Sequence, residues 1–264
     1  MKPSIFFVLF CLLITGLESF ASVTVENGLT HVFRGNWGDE LTGTIKLTNS
    51  GKKAERVLIF KNDLVQGCAN ANMFAEANSQ PNSSARWIKL NLNERTIAAG
   101  ESYEVVYSIS IPKDTSFNGS YWSLIMVEVV DPIKEEKTSS GVTIGSKIRY
   151  AIQVITDVGP YKVSPLSYEE VKLEKQEGGR GKTVQVLLKN NGIFAVNPAL
   201  VFELFNKNGD KIKKIEVPFR KIYPGSCKLF EVDLTGIPKG SYDCVLVADY
   251  GQDLFGMNAS LDID

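Results

Sequence analysis

The chain reads as all-β: two tandem immunoglobulin-like β-sandwiches after a cleaved signal peptide. Three observations predict this. Apolar residues alternate with polar ones in short runs along the whole length. No long run keeps helical spacing. A series of turn and strand-end residues also occurs twice, in the same order.

The N-terminal segment comes first. Lys2 supplies a positive start, residues 5–15 are apolar or neutral, and Ser19-Phe20-Ala21 places small residues at the two positions a signal peptidase inspects. The apolar core is too short to cross a bilayer. Residues 1–21 are therefore expected to be removed, with the mature protein starting at Ser22 in an exported, disulfide-permissive compartment, periplasmic or at the cell surface. About 240 residues then remain, enough for two domains of ordinary size. A formal net charge of -1 gives no basic excess to support nucleic-acid binding or adhesion to an anionic membrane. No second apolar run reaches spanning length, so no membrane span is expected in the mature chain.

Strand signals follow in order. Thr44-Ile45-Lys46-Leu47-Thr48 alternates before the turn Asn49-Ser50-Gly51. Residues 103–111 alternate again, and 123–130 are nearly continuously apolar, as a central strand covered on both faces requires. Residues 145–156 alternate, with Ile148, Tyr150, Ile152 and Val154 sharing a face. Asp157-Val158-Gly159-Pro160 breaks that pattern, which places one domain over 22–157 and a second over 160–264. In the second half, 183–189, 199–205, 211–217, 229–234 and 242–248 read as strands, and Asn208-Gly209 marks a hairpin.

The two halves match turn by turn. Asn49-Ser50-Gly51, Gly100, Ile111-Pro112 and Gly119-Ser120-Tyr121 in the first half correspond to Asn190-Asn191-Gly192, Gly225, Ile237-Pro238 and Gly240-Ser241-Tyr242 in the second. Gly51 and Gly192 are expected at a positive φ. Pro112 and Pro238 end a strand by removing a ladder donor. Tyr121 and Tyr242 are placed as tyrosine corners.

Cys11 lies in the signal, which leaves Cys68, Cys227 and Cys244. The favoured pair is Cys227 with Cys244, both in strand-like segments of one half, stabilising by roughly 3 kcal/mol. Cys68 is then free, buried or bridged to another molecule. Three unpaired thiols are the competing reading.

With these signatures the chain resembles the periplasmic pilus-assembly chaperones of the PapD type. Residues 42–49, 100–112 and 119–127 resemble successive strands of their first domain, and 146–156 resemble its last strand, which those chaperones lend to a subunit. The resemblance implies a carboxylate clamp with an arginine on the first strand and a lysine on the last. Thr30 holds the matching first-strand position beside His31, Arg34 is the nearest arginine, and Lys147 or Arg149 serves on the last strand. A fainter resemblance, through 119–128, 240–242 and 249–251, is to two-domain surface proteins of the WxL-interacting type.

Catalytic chemistry is not indicated. His31 is the only histidine, and no Gly-x-Ser-x-Gly elbow accompanies it. No phosphate loop occurs, and three dispersed cysteines make no zinc pattern. Asp249, Asp253 and Asp262 match no calcium loop and read as solvated turn residues. No cofactor and no metal is expected. The polar segment 66–86, with Cys68, Met73 and Phe74, reads equally as a binding loop or an insertion.

The expectation is a non-enzymatic exported factor that binds another exported or surface protein. It acts as a chaperone-like assembly protein by β-strand addition. The expected partner-binding residues are Lys147, Ile148, Arg149, Tyr150 and Ile152. The alternative is a structural or adhesive surface module binding envelope proteins or polymer through Tyr121, Trp122 or the 66–86 loop.

Overall fold

The computed structural model describes residues 22–68, 73–130, 134–137, 143–175, 182–251 and 253–263. The expected signal segment lies outside them. The described residues form nineteen strands in five sheets and no helix. No helix among them is long and apolar enough to cross a membrane.

The first sandwich packs two sheets face to face. One sheet runs β1 (Val23–Val25), β3 (Glu40–Asn49), β8 (Ser102–Ser110), β6 (Ile88–Leu90). The other runs β2 (Thr30–Gly35), β12 (Arg149–Val158), β9 (Gly119–Val129), β4 (Glu55–Val65), β5 (Met73–Glu76), with β7 (Glu94–Ile97) also on β4. Alternate residues of these strands, among them Ile45, Val57, Val105, Tyr107, Ile125 and Val154, fill the core between the sheets. A short hairpin joins β10 (Lys134–Lys137) to β11 (Thr143–Ser146).

The N-terminal segment changes sheets. β1 pairs antiparallel with β3, and β2 then crosses to run parallel to β12. The crossing occurs at Asn27-Gly28. The Asn27 side chain donates to Thr44 O at 2.6 Å and accepts from Lys46 N–H at 2.9 Å, covering the β3 edge where β1 leaves it. Gly28 takes φ +85°, which a side chain would strain.

The second sandwich packs β13 (Leu166–Lys175), β14 (Lys182–Asn190) and β17 (Cys227–Asp233) against β16 (Lys211–Val217), β15 (Ala199–Phe205), β18 (Gly240–Asp249) and β19 (Leu254–Ile263). Its core includes Val186, Phe202, Phe230 and Leu246. The Asn208-Gly209 turn joins β15 to β16 as expected, with Gly209 at φ +85°.

The repeated turns match in detail. Asn49 and Asn190 are both fully buried. Asn49 Nδ2 donates to Lys53 O and Ile97 O, and Asn190 Nδ2 donates to Phe194 O and Ile222 O. Each Asn side-chain oxygen accepts from the glycine two residues on. The positive φ falls elsewhere than expected, at Gly100 (+74°) and Gly225 (+73°) and not at Gly51 or Gly192. Gly192 is required for space, since a Cβ there would lie 2.3 Å from Ser164 Oγ. Tyr242 forms a tyrosine corner, its hydroxyl donating to Pro238 O at 2.9 Å. The Tyr121 hydroxyl likewise hydrogen-bonds the backbone at Asn118, three residues upstream, and its ring packs in an aromatic cluster with Trp87 and Phe117.

The run expected over 145–156 is two strands. Thr143–Ser146 belongs to the hairpin, and β12 begins at Arg149. β9 is buried along its whole length, as its apolar run requires.

Candidate functional site

Two features stand out: an incompletely paired strand edge on the first domain, and a cleft where the domains meet. The edge belongs to β12. One side of β12 is fully paired with β9 from Arg149 to Val158. The other side pairs with β2 only from Gln153 onward. Gln153 N–H donates to Leu29 O, so odd-numbered residues direct their backbone groups toward β2. Ile148 O accepts from Val129 N–H, so even-numbered residues face β9. By this alternation Arg149 and Ala151 present backbone N–H and C=O on the open side, where no described strand takes them.

The expected site residues divide by face. Ile152 is fully buried, and Ile148 and Tyr150 pack half-buried against the first core. The Tyr150 hydroxyl donates to Val23 O at 2.6 Å, tying β12 to β1. Lys147 and Arg149 project outward and are exposed. Both pair with Glu128, a buried residue of β9. The Arg149 guanidinium foremost, with Lys147 assisting, holds the Glu128 carboxyl below the usual range against the opposing effect of burial. Arg149 also lies over the Phe60 ring.

The junction cleft holds about 250 Å³ and is lined by Arg34, Asn36, Asp39, Asp157, Tyr161 and Phe194, among others. Arg34 Nε lies 3.6 Å from Asp157 Oδ2. Lys221, from the second domain, is within electrostatic reach of Asp157, and burial lowers its ammonium pKa. The clamp implied by the resemblance is therefore not assembled as expected. Arg34 does line the cleft. Lys147 and Arg149 do not approach it, because Arg149 and Asp157 are at opposite ends of β12, roughly 26 Å apart at 3.3 Å per residue. Lys221 is the nearby cation, and nothing in its local sequence marks it.

The domains meet through an apolar contact beside this cleft. Trp122, Leu124, Met126 and Ile155 on the outer face of the β9–β12 sheet cluster with Tyr223 of the second domain. Ser120 N–H donates to Ile193 O at 2.8 Å, and Ala195 N–H donates to Ser120 Oγ at 2.7 Å. Gly119 fits because a Cβ there would lie 2.4 Å from Ile193 O. Trp122 and Tyr121 are both buried, so neither offers a surface contact.

The disulfide expected between Cys227 and Cys244 is not formed. Cys227 bonds to Cys68, with Cα atoms 4.4 Å apart, and Cys244 is free and buried. Cys227 opens β17 in one sheet and Cys244 lies in β18 of the facing sheet. Cys227 pairs with Lys189, on the face of its sheet turned away from the Val186–Phe230 core, whereas Cys244 lies inside that core, so the two side chains point to opposite sides of the β17 sheet. Burial pushes the Cys244 thiol up to about 11.

The 66–86 segment is largely built into the fold, with residues 69–72 outside the described ones. β5 pairs with β4, and Ser83 bridges to Trp122 where β4 has left β9. Asp63, fully buried, accepts from Ser79 N–H, Ser83 Oγ and Ser123 Oγ at 2.7–2.8 Å. His31, on the edge strand β2, lies inward with Nδ1 2.7 Å from the Tyr107 hydroxyl. The three aspartates do not converge. Asp249 is at one end of the β18–β19 hairpin and Asp262 at the other.

The chain is thus a tandem immunoglobulin-like protein in which half of one side of β12 is unpaired among the described strands, with a charged cleft at its junction. Its outline is similar to that of solved fimbrial chaperones. The Class 5 fimbriae chaperone CfaA aligns with a TM-score of 0.48 at 10% identity, over 89% of this chain and 98% of that one. The YadV chaperone aligns at 0.47 and 14% identity, over 91% and 100%. A chain of the CsuC–CsuE chaperone–tip adhesion subunit pre-assembly complex from Acinetobacter baumannii aligns at 0.45 and 16% identity, over 90% and 98%. No family model matches the chain, and no curated protein matches it.

Proposed function

We propose that the protein is a non-enzymatic, exported protein-binding factor, a periplasmic chaperone-like assembly protein that acts by β-strand addition. One observation carries the reading: the unpaired half of the β12 edge, where Arg149 and Ala151 turn backbone donors and acceptors away from the sheet. An extended partner segment docked there gains main-chain hydrogen bonds, and its alternate side chains meet the flanking surface. In this reading Ile148, Tyr150 and Ile152 hold the edge straight from within, and Lys147 and Arg149 flank it. A partner carrying an acidic group beside the docked strand is favoured by those two cations.

The test uses Ala151→Pro. The substitution removes one backbone donor on the open side and leaves the ladder to β9 intact. The tagged mature protein and the variant are each used to capture partners from the native envelope. The expected result is a dominant exported β-rich partner with the parent protein and its loss with the folded variant. Undiminished capture by a folded Ala151→Pro protein sinks the proposal.

A further inference from the structure

Cys68, Cys227 and Cys244 allow three pairings, and the structure holds one that loop closure disfavours against the short-range Cys227–Cys244 pair. Cys68 and Cys227 are 159 residues apart. Cys227 and Cys244 are separated by only 17 (244 minus 227). In an unfolded chain the shorter loop closes more readily by roughly 30-fold, from the three-halves power of the length ratio. The long-range bridge therefore has to be selected by folded structure.

The fold supplies that selection. Cys244 lies in β18, 3% exposed, with its thiol turned into the second domain. Cys227 is 6% exposed and held at the junction. Just before it, Tyr223 stacks on Trp122, and a tight turn joins Ser226 N–H and Oγ to Tyr223 O. Cys68 is exposed and follows Gly67, around which no atom lies within 4 Å of a Cβ position. Cys68 thus lies on the surface, Cys227 is shielded at the junction, and Cys244 faces a cavity of about 310 Å³ inside the second domain, turned away from both.

We infer that the Cys68–Cys227 bridge is the last covalent step of maturation, made by thiol–disulfide exchange with an external disulfide that enters at Cys68 after the two domains have folded and docked. The Cys68 thiolate attacks one sulfur of the external disulfide. That S–S bond breaks, its other sulfur leaves as a thiol, and a mixed disulfide remains on Cys68. The Cys227 thiolate then attacks Cys68 Sγ, the mixed bond breaks, and the second external sulfur departs as a thiol. The two cysteines lose two protons and two electrons, and the external disulfide leaves reduced to two thiols. This order is independent of the strand-adding function.

The experiment follows oxidation of the reduced mature protein by oxidised glutathione, with acid quenching and peptide mapping. In native buffer the expected products are a transient glutathione adduct on Cys68 and then the Cys68–Cys227 bridge alone. In concentrated urea the Cys227–Cys244 bridge is expected to exceed Cys68–Cys227 by on the order of tenfold or more. Predominance of Cys68–Cys227 in urea, or a first adduct on Cys227 in native buffer, overturns the inference. Tyr223→Ser, which removes the docking ring, is expected to slow native bridging about tenfold by lowering the effective concentration of the pair, while Cys244 is alkylated no faster than in the parent. An unchanged bridging rate with Cys244 alkylated as in the parent also overturns it. If Tyr223→Ser opens Cys244, Gly119→Ala replaces it, since the new Cβ would press on Ile193 O without removing any second-domain side chain. The same slowing is expected with Gly119→Ala, and an unchanged rate in that variant equally overturns the inference.

Discussion

The Trp122 indole and the Tyr223 phenol stack across the domain junction with ring centroids 4.3 Å apart. Both polar tips are satisfied by the first domain. Trp122 Nε1 donates to Leu64 O at 2.9 Å, and Tyr223 Oη donates to Gln153 Oε1 at 2.7 Å. The contact therefore combines packing with one cross-domain hydrogen bond, and the two contributions separate by substitution. Tyr223→Phe keeps the ring and is expected to cost about 1 kcal/mol. Tyr223→Ala also empties the junction and is expected to cost about 3–5 kcal/mol. Urea denaturation of both variants measures the difference. Equal losses would mean that the hydrogen bond, and not the ring, holds the junction.

Asp63 anchors the segment that follows β5. Its carboxylate receives donors from Ser79, Ser83 and Ser123 in a site closed to solvent. Asp63→Asn turns an amide N–H₂ toward groups that themselves donate. The expected loss is about 1–3 kcal/mol. Residues 77–86 are expected to become the earliest site of limited proteolysis, which mass spectrometry of the fragments reads directly.

His31 predicts a pH dependence. Burial lowers its pKa from the usual 6.5, opposed by the backbone carbonyls of Asn27 and Gly28, which favour the charged ring. The unfolded chain therefore binds the proton more tightly than the folded one. The stability linked to neutral His31 is present above pH 6.5 and is lost as pH falls through 6.5 toward the lower folded value. His31→Asn is expected to flatten the melting temperature between about pH 7.5 and pH 5 relative to the parent, leaving only the slope from carboxylates. Identical slopes would remove His31 from the pH response.

Gly43 is fixed by Tyr107. A Cβ at position 43 would lie 2.2 Å from the ring carbon Cζ and 2.4 Å from the hydroxyl. Tyr107 is 1% exposed and cannot swing into solvent without vacating the core. Gly43→Ala is expected to destabilise by about 1–3 kcal/mol through overpacking. The double variant Gly43→Ala with Tyr107→Phe should recover little, because the ring carbon remains in place. Calorimetry of the single and double variants checks both statements.

Much of this architecture is legible in the sequence because burial has a period. The alternation in 44–48, 103–111 and 183–189 reports strands half-covered by a facing sheet, and β3, β8 and β14 are such strands. The Asn49 and Asn190 turns are legible as a repeat because each asparagine bonds mostly to its own neighbourhood. β19 escapes notice because its inward positions include the small Ala259 and its outward ones include Gly256, Asn258 and Ser260, so its alternation is faint. The open edge of β12 follows partly from pattern. The strand's alternation is visible, but the arrival of β2 at Gln153 is not. Lys221 and the Cys68–Cys227 bridge depend on which loop of one domain meets which face of the other, and no periodicity encodes that choice.

The parallel pairing of β2 with β12 also has a bearing on synthesis. Thr30 lies opposite Gln153, so the earliest long strand to emerge finds its neighbour only when 123 further residues (153 minus 30) have followed. Until then Thr30–Gly35 has no ladder to join and its Phe33 has no finished core to pack against. Such distant pairing raises contact order and slows folding. A chain crossing into its compartment N-terminus first thus delivers the border strand of this sheet well before the strand it must lie against. In that interval the nascent segment is itself a candidate for chaperone protection.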